Sequence, residues 1–386
     1  AACGSGDNGG EAEGEVYNVG MICIGDENAA YDRNFYMAAD AAKEQLAAKG
    51  INIAWTYTYN HPEGDPVATD CRDLGDAGCI AVFCNSYGME PAMLTVAPEY
   101  PDTVFVGMTN ENSWKDDLDN TVNAFPSVYE GRYLAGVAAG MKLQEMIDNG
   151  EIKADEAVIG YVGAYPYAEV VSGYTAFFLG IKSVIPEVMM EVQYTNSWFD
   201  PTAEGEAANA LMADGCVIIG QHADSTGAPT AVQAAQDQGK IAYSIGYNVD
   251  MLSVAPTGAL TSATNDWSVY YKYAFETMMK GEKLDKEWSK GYDEGAVAIT
   301  ALGKSCAEGT QAKVDEDIAA IKNGSLKVFD TSKWTVDGKT LTTYTKAYGF
   351  EGNEMISDGY FHESELRSAP AFDIRIDGIK ELNNDK

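Results

Sequence analysis

The sequence predicts an α/β protein with two lobes, each built on a doubly wound parallel sheet, joined by a hinge. Apolar segments of strand length alternate with amphipathic segments of helix length, which is typical of parallel sheets covered on both faces. The alternation repeats in a second block from about residue 128, which indicates a second lobe wound like the first. At 386 residues the chain is long enough for two separate cores.

The first block begins with a strand over residues 16–24. Helix-capping residue types follow at 26–28 and precede a helix with one apolar stripe, formed by Phe35, Ala39, Ala42 and Leu46. Gly50 ends this helix. The further predicted elements are strands at 51–59, 79–85 and 103–109 and a helix near 89–98.

The second block continues the alternation with longer helices. Its predicted helices cover 128–148, 168–184, 202–213 and 229–238, and its strands cover 157–165, 188–196, 216–222 and 241–247. Short strands near 258–264 and 295–302 return the chain between the lobes. The final stretch is richer in Thr, Gly and Asp, with a predicted hairpin at Asp337–Gly338.

These patterns predict a division of the chain into four parts. The parts are a tether (1–14), lobe 1 (15–125 and 251–290), lobe 2 (126–250 and 291–330) and a C-terminal extension packed on lobe 2 (331–386). Hinge residues are expected near 126, 250 and 290.

The N-terminal residues predict a lipoprotein. Ala1 and Ala2 precede Cys3, and the polar, glycine-rich run behind Cys3 has the composition of a flexible tether. A lipid on Cys3 would hold the folded body in the cell envelope, at the outer face of the cytoplasmic membrane, and would be its one attachment to the membrane. The alternative is that Cys3 is an ordinary cysteine. No apolar stretch approaches the roughly 20 residues of a membrane span.

The net charge of −33, from 59 acidic and 26 basic residues, narrows the choice of partners. Such a negative field repels nucleic acid and anionic lipid, so neither is expected to bind. It favours a neutral or cationic small molecule.

Signals of a metal, a cofactor or a catalytic site are weak. The chain has no C-x-x-C pair, its three histidines are scattered, and nucleophile-elbow, zincin, phosphate-loop and dinucleotide motifs are missing. We therefore expect no metal, no cofactor and no catalytic residue. Cys71 and Cys79 bracket what reads as a short polar loop; they form a disulfide in an oxidising compartment or stay thiols in an anaerobic source.

Candidate ligand-binding residues follow the predicted strands, because ligands of open parallel sheets bind outside the carboxyl ends of the strands. These positions combine aromatic rings with carboxylates and amides, a mixture that suits a polar, partly aromatic molecule such as a nucleoside. The residues are Asp26, Tyr31, Asp32, Asn85, Ser86, Tyr87, Tyr165, Asn196, Trp198, Asp200, His222, Asp224, Asn248, Asp250, Asn265 and Trp267. Taken singly, Asp26, Asn85, Asp224 and Asn248 read better as loop caps. For Tyr31 and Trp198 the alternative is packing against the other lobe, and His222 alone equally suits a satisfied loop histidine.

Five segments, in this order, resemble the basic membrane protein family of ABC-transporter substrate-binding lipoproteins, which includes purine-nucleoside receptors and a Med-like branch. The segments are 131–140, 159–186, 195–215, 220–225 and 264–271. The resemblance covers roughly residues 15–330 and implies a periplasmic-binding-protein type I fold and an ABC permease as partner.

The resemblance also implies roles for residues that match the family's motifs. Tyr31 stands at the aromatic position of the first helix, and Asp32 replaces the usual Asn, which favours a donor-rich ligand edge. Ser86 and Tyr87 match a Ser-aromatic-Gly loop, and Trp198 is the first choice for stacking on a base. His222 belongs to a matching Gln-His-x-Asp segment, and Asp250 is the candidate for ribose hydroxyls or a base edge. Relatives often carry Arg and Asn where this chain has Ser172 and Thr175, and the lysine of nucleoside receptors is not evident at 264–266.

The expected function is a non-enzymatic solute receptor that closes around a purine nucleoside or nucleobase and delivers it to an ABC permease. The first alternative keeps this class with a sugar, riboflavin or another aromatic metabolite as the solute. Further alternatives are a nucleoside hydrolase or phosphorylase, and a surface module that binds a protein partner.

Overall fold

The computed structural model describes residues 14–110 and 116–384, and within them two large sheets form the cores of two lobes. The first sheet has the spatial order β11-β5-β4-β3-β1-β2, and all its pairs are parallel. Its strands are β1 (Val16–Ile22), β2 (Asn52–Thr58), β3 (Ala81–Cys84), β4 (Val104–Met108), β5 (Thr121–Ala124) and β11 (Glu287–Trp288). Its helices are α1 (Ala30–Ala47), α2 (Pro66–Asp76), α3 (Glu90–Val96) and α8 (Ser268–Met279).

The second sheet has the order β12-β10-β9-β8-β6-β7-β15, and only β12 pairs antiparallel. Its strands are β6 (Val158–Gly163), β7 (Met189–Tyr194), β8 (Ile218–Gln221), β9 (Tyr243–Tyr247), β10 (Ala259–Asn265), β12 (Val297–Ile299) and β15 (Ile379–Glu381). The helices are α4 (Val128–Asp148), α5 (Ala168–Lys182), α6 (Pro201–Ala213), α7 (Gly227–Asp237) and α9 (Thr310–Lys322). A small hairpin of β13 (Ile356–Ser357) and β14 (Tyr360–Phe361) follows. Among the described helices, none combines the length and apolarity that a bilayer crossing requires.

Apolar side chains of one strand reach both faces of the first sheet, as continuous apolar strands require. On β1, Met21 packs in a cluster with Phe35 of α1, whereas the next residue, Ile22, packs in another cluster with Val67 of α2. Successive side chains along the strand point to opposite faces of the sheet and therefore pack against two helix layers. This arrangement confirms the doubly wound α/β prediction.

The structure corrects two local predictions. Residues 26–28 do not cap α1, whose N-cap residue is Ala29; Asp26 instead accepts a hydrogen bond from the backbone of Asn28 at 2.8 Å. Cys71 lies within helix α2, not at the edge of a polar loop. Helices α2, α8 and α9 and strand β5 are not among the elements predicted from the sequence. Cys71 and Cys79 are both buried free thiols.

The chain passes between the lobes near 125–127, at 266–267 and near 289–296. The first and third passages run side by side, with Phe125 N donating to Trp288 O at 3.1 Å and Ser127 N to Lys290 O at 2.8 Å. The middle passage was expected near 250. It lies later because β10 pairs with β9 in the second sheet, so residues 251–266 belong with lobe 2 and not with lobe 1.

The C-terminal extension contacts the second lobe through backbone pairing and through one buried carboxylate. Strand β15 adds to β7 at the edge of the second sheet. Glu363 accepts hydrogen bonds from Ser172 Oγ at 2.6 Å and from the backbone N–H groups of Ala371 and Phe372 at 2.6 and 3.0 Å. One of the two departures from the family pattern, Ser172, therefore binds the extension. At Asp337–Gly338 both residues have positive φ, as in a hairpin turn.

Helices α4 and α5 cross at very short range, which places their N-terminal halves beneath the cleft. A Cβ on Gly136 would lie 2.1 Å from Phe177 O, and one on Gly180 would lie 2.0 Å from Tyr133 O. The two glycines are therefore required for this approach. The close packing positions Arg132 on α4 and Glu169 on α5 for the site described next.

Candidate ligand-binding site

A cavity lies between the lobes, beyond the carboxyl ends of the parallel strands, and its empty space of about 300 Å³ includes space open to solvent. The first lobe contributes Ile24, Tyr31, Asn85, Ser86, Tyr87 and Thr109. The second lobe contributes Glu169, Trp198, His222, Asp224 and Tyr247. This position is the one expected for ligands of open α/β sheets.

The first-lobe wall is held by a hydrogen-bond network around Asn85. Tyr31 Oη donates to Asn85 O at 2.5 Å, and the Tyr31 ring packs edge-on against Phe35 at 4.9 Å between centroids. The Asn85 amide accepts from Ile24 N at 3.0 Å and donates to Asp32 Oδ1 at 2.8 Å. Both hydrogen-bonding atoms of the amide are therefore used to hold the loop after β3 to β1 and α1.

Asp32 lies behind this wall and not in the cavity. Its carboxylate also accepts from Gly25 N at 3.1 Å, and burial raises its pKa to about 6. A side pocket next to the cavity is lined by both Asp32 and Asp224. Asp32 thus supports the site structurally and adds negative charge close to the second lobe.

Ser86 faces the cavity but its hydroxyl is engaged. Ser86 Oγ donates to the Glu63 carboxylate, which also accepts from Gly88 N at 3.1 Å. Glu63 therefore fixes the loop that carries Tyr87.

Aromatic rings from both lobes meet at the mouth of the cavity. Tyr87 of the first lobe stacks on Tyr167 of the second, with centroids 5.3 Å apart. Tyr165 stacks on the same Tyr167 at 5.1 Å and packs edge-on against Trp198 at 5.0 Å. Trp198 lines the cavity, whereas Tyr165 supports it from behind. The rings form one continuous aromatic rim.

The second-lobe floor contains a buried histidine with defined partners. His222 Nδ1 lies 3.0 Å from the Arg132 guanidinium, and Arg132 also donates to Gln221 O at 2.7 Å. Burial and the positive charge of Arg132 lower the pKa of His222 to about 4, so the ring is neutral at physiological pH. In the described residues neither His222 Nε2 nor Tyr247 Oη has a hydrogen-bond partner.

Two acidic side chains of the second lobe also face the cavity. Glu169 Oε2 accepts from Thr109 Oγ1 of the first lobe at 2.7 Å. Asp224 is held by its backbone, whose carbonyl accepts from Ala30 N at 3.0 Å, again across the lobes. Burial, followed by the nearby charge of Asp32, raises the pKa of Asp224 well above its ordinary value. These interlobe contacts describe a closed cleft.

Seven of the sixteen candidate residues line the cavity: Tyr31, Asn85, Ser86, Tyr87, Trp198, His222 and Asp224. Two more, Asp32 and Tyr165, support residues that do. The predictions for these positions were made from motifs at strand ends, and the fold brings those ends together.

The other seven candidates lie outside the cavity lining: Asp26, Asn196, Asp200, Asn248, Asp250, Asn265 and Trp267. Asp200 caps α6, accepting from Ala203 N at 3.0 Å, and the exposed Asp250 accepts from Leu252 N at 2.7 Å. Both are occupied in local turns, which is the usual role of Asp after a strand. Trp267 is 1% exposed and stacks on Phe35 at 4.6 Å, so it belongs to the core. Asn265 is buried, and its carbonyl accepts from Asn34 Nδ2 at 2.9 Å.

The motifs at the strand ends do not predict Thr109, Glu169 or Arg132, and Asp224 taken singly reads as a loop cap. Thr109 directly follows β4, so the strand-end rule would have found it had it been applied to every strand. Glu169 occupies the first turn of the helix after the loop that carries Tyr165. No sequence signal pointed to Arg132, because it lies inside a long apolar helix and reaches the site only through the packing of α4 on the second sheet.

This chain is similar to substrate-binding proteins of ABC transporters in both sequence and fold. The Bmp family model, described as ABC transporter substrate-binding protein PnrA-like, matches residues 19–332. A purine-binding protein of Brucella abortus is 32% identical over 86% of this chain and 90% of its own length. A putative ABC transporter glucose-binding protein of Haloferax volcanii is 32% identical over 84% of this chain and 76% of its own length. Among solved structures, a solute-binding protein of an ABC transporter system from Aeropyrum pernix K1 covers 81% of this chain and 93% of its own, with a TM-score of 0.68 and 17% identity.

Proposed function

Because this chain belongs to the Bmp family of PnrA-like ABC-transporter substrate-binding proteins, we propose that it binds a purine nucleoside or nucleobase between its lobes and delivers it to an ABC permease. The broader class is established by the family and the fold: it is a solute-binding protein with the periplasmic-binding-protein type I fold, not an enzyme. Substrate-binding proteins of ABC transporters act outside the cytoplasm.

The observation that carries the purine proposal is the combination of an aromatic face with buried polar atoms of both kinds. Trp198 lines the cavity together with Glu169, Asp224 and His222, whose Nε2 has no hydrogen-bond partner in the described residues. A purine base offers a flat ring for stacking, ring nitrogens that accept hydrogen bonds, and N–H groups that donate them. The purine-binding relative from Brucella abortus supports the same choice.

A sugar is the second candidate solute. Its support is the glucose-binding relative from Haloferax volcanii, together with the fact that Trp and Asp side chains also suit sugar hydroxyls and ring faces.

Calorimetric titration with adenine, adenosine, guanosine, ribose, glucose and riboflavin tests the proposal directly. Mass spectrometry of small molecules released from the purified protein should come first, since a copurified ligand would mask binding. We expect at least one purine to bind and the sugars not to compete with it. Binding of a sugar without binding of any purine would reject the proposal.

We also propose that a lipid on Cys3 attaches the protein to the outer face of the cytoplasmic membrane. Cys3 lies outside the residues that the structure describes, so the support is the sequence around it. Expression in a bacterial host with a labelled fatty acid should give a labelled, membrane-associated protein. A Cys3→Ser variant should lose both properties, and label retained by that variant would contradict the anchor.

A further inference from the structure

A fully buried arginine stands directly behind the cavity histidine. Arg132 is 1% exposed, and its guanidinium carbon lies 3.7 Å from the centroid of the Tyr247 ring. One guanidinium nitrogen donates to Gln221 O at 2.7 Å, and the other lies 3.0 Å from His222 Nδ1. The stacked ring and the two hydrogen bonds hold the planar group in one orientation.

This contact determines which nitrogen of His222 carries the proton. A guanidinium group has only N–H donors, so the nitrogen that it approaches must be an acceptor. His222 Nδ1 is therefore unprotonated, and a neutral ring must carry its hydrogen on Nε2. Nε2 is the ring atom without a partner in the described residues, and the nearest carboxylate oxygen, Oε1 of Glu169, is 3.7 Å away.

We propose that Arg132 is a positioning residue that holds His222 as the Nε2–H tautomer and thereby makes the cavity selective for ligands with a hydrogen-bond acceptor facing His222. This inference rests on the proposed function, because it specifies which purine edge the site accepts. The same ligand must also offer a donor to the carboxylate of Glu169, whose Oε1 lies 3.7 Å from His222 Nε2. An unprotonated ring nitrogen or a carbonyl oxygen beside an N–H group meets both requirements.

The groups around His222 explain why the ring stays neutral. Arg132 on α4 disfavours a second positive charge, whereas Glu169 on α5 favours one. Asp224 lies on the same loop as His222, and burial raises the pKa of this carboxyl group well above its ordinary value. Tyr161 on β6, whose hydroxyl is 3.5 Å from Nδ1, and Tyr247 on β9 are uncharged. Complete burial of the ring adds to the effect of Arg132, so the neutral form prevails.

The helix packing leaves just enough room for this contact. A Cβ on Gly173 of α5 would lie 2.9 Å from His222 Nδ1 and 3.4 Å from Arg132 Nε. A side chain at this position would displace either the imidazole or the guanidinium. The contact therefore depends on all three residues, which come from α4, α5 and the loop after β8.

The first test uses the unaltered protein. Long-range nitrogen–proton NMR spectra of histidine-labelled protein should show one ring with Nε2 protonated and Nδ1 unprotonated, unchanged between about pH 7.5 and about pH 5. Single His61→Gln and His362→Gln variants identify the His222 signals by elimination. A His222 ring protonated on Nδ1, or one that titrates above pH ~6, would overturn the inference whether or not a ligand binds.

The second test asks whether Arg132 sets ligand selection. The test compounds are purines in which one ring nitrogen is replaced by CH. One of these analogues should lack the acceptor for the His222 N–H and should bind roughly 5- to 100-fold more weakly than the parent purine. In Arg132→Met the His222 tautomers should mix and this penalty should largely vanish. Arg132→Lys keeps the charge without the planar fork and should show a penalty between those of wild type and Arg132→Met. Arg72→Met, at a half-buried position in α2, serves as the control.

The results separate the two proposals. If no purine binds but the wild-type spectrum shows the Nε2–H ring, the purine assignment and the purine selectivity fail, whereas the Nε2–H tautomer of His222 stands. If purines bind and every single-nitrogen replacement is tolerated equally by wild type and Arg132→Met, the selectivity role of Arg132 is wrong. Should Arg132→Met not fold, Arg132→Lys and the wild-type spectrum still decide.

Discussion

Tyr87 of the first lobe stacks on Tyr167 of the second, with ring centroids 5.3 Å apart and planes inclined by 29°. Beside this pair, Thr109 Oγ1 donates across the lobes to Glu169. The two contacts join residues of different lobes at the edge of the cavity. Both would break if the lobes rotated apart, so they stabilise the closed cleft relative to an open one.

Replacing Tyr87 with Ala should therefore speed ligand release. Loss of one aromatic pair, worth about 0.5–1.5 kcal/mol, predicts a dissociation rate roughly 2- to 10-fold higher. Stopped-flow fluorescence of a bound ligand measures this rate. Tyr59→Ala, an exposed tyrosine that stacks on Tyr57 within the first lobe, is the control. Equal rates for wild type and Tyr87→Ala would show that the pair does not hold the cleft closed.

Replacing Trp198 with Ala should weaken purine binding by at least ~1 kcal/mol, the low end for stacking of a base on an aromatic side chain. Trp198→Phe keeps an aromatic face and should lose less. Calorimetric dissociation constants for the two variants and wild type measure the effect. An unchanged constant in Trp198→Ala removes this residue from the binding site.

Asp32 should make stability depend on pH in a predictable direction. Its folded-state pKa of about 6 lies above the ordinary value of 3.8, so between these values the folded protein holds a proton that the unfolded chain releases. The free energy of unfolding should therefore fall as pH rises from about 4 to about 6, by roughly 2–3 kcal/mol from this group. In Asp32→Asn that contribution should vanish.

Urea unfolding at several pH values measures this difference. Asp102→Asn, at an exposed position, controls for the loss of one carboxyl group. The prediction is wrong if Asp32→Asn and wild type show parallel pH profiles over this range.

The close crossing of α4 and α5 predicts an asymmetric response to added methyl groups. Gly136→Ala would place its Cβ against Phe177 O and should lower the free energy of unfolding by about 1–3 kcal/mol or more. Gly205→Ala on α6 meets no atom closer than 3.6 Å and should be neutral or stabilising by up to ~1 kcal/mol. Denaturant midpoints compare the two, and equal destabilisation would contradict the packing argument.

Local periodicity predicted most of the fold. The helix expected at 128–148 has those bounds as Val128–Asp148, and the apolar stripe from Phe35 to Leu46 is fully buried in α1. The lobe assignment of 251–266 could not be predicted this way, because β10 pairs with β9 through backbone atoms that every residue shares. Helix α2 was not predicted because it is short and most of its residues are polar, so its apolar stripe is hard to recognise.

The candidate site was partly predictable because local motifs at strand ends mark some of its residues. Tyr31, Tyr87, Trp198 and His222 follow strand ends or stand in motifs, and the fold brings them to one cavity. Asp200 and Asp250 carry the same local signal but cap turns instead. An Asp after a strand can either bind a ligand or cap a turn. Only the distance of its side chain from the other lobe decides between these two roles.

By itself, the order of apolar and polar residues determined that this chain forms two parallel-sheet lobes. The apolar pattern within each strand or helix is enough to specify which of its faces is buried. The tertiary structure alone decided which polar groups reach the cleft. The contact of Arg132 with His222 joins residues 90 positions apart through the packing of α4. The periodic pattern of apolar and polar residues along the chain does not predict such a contact.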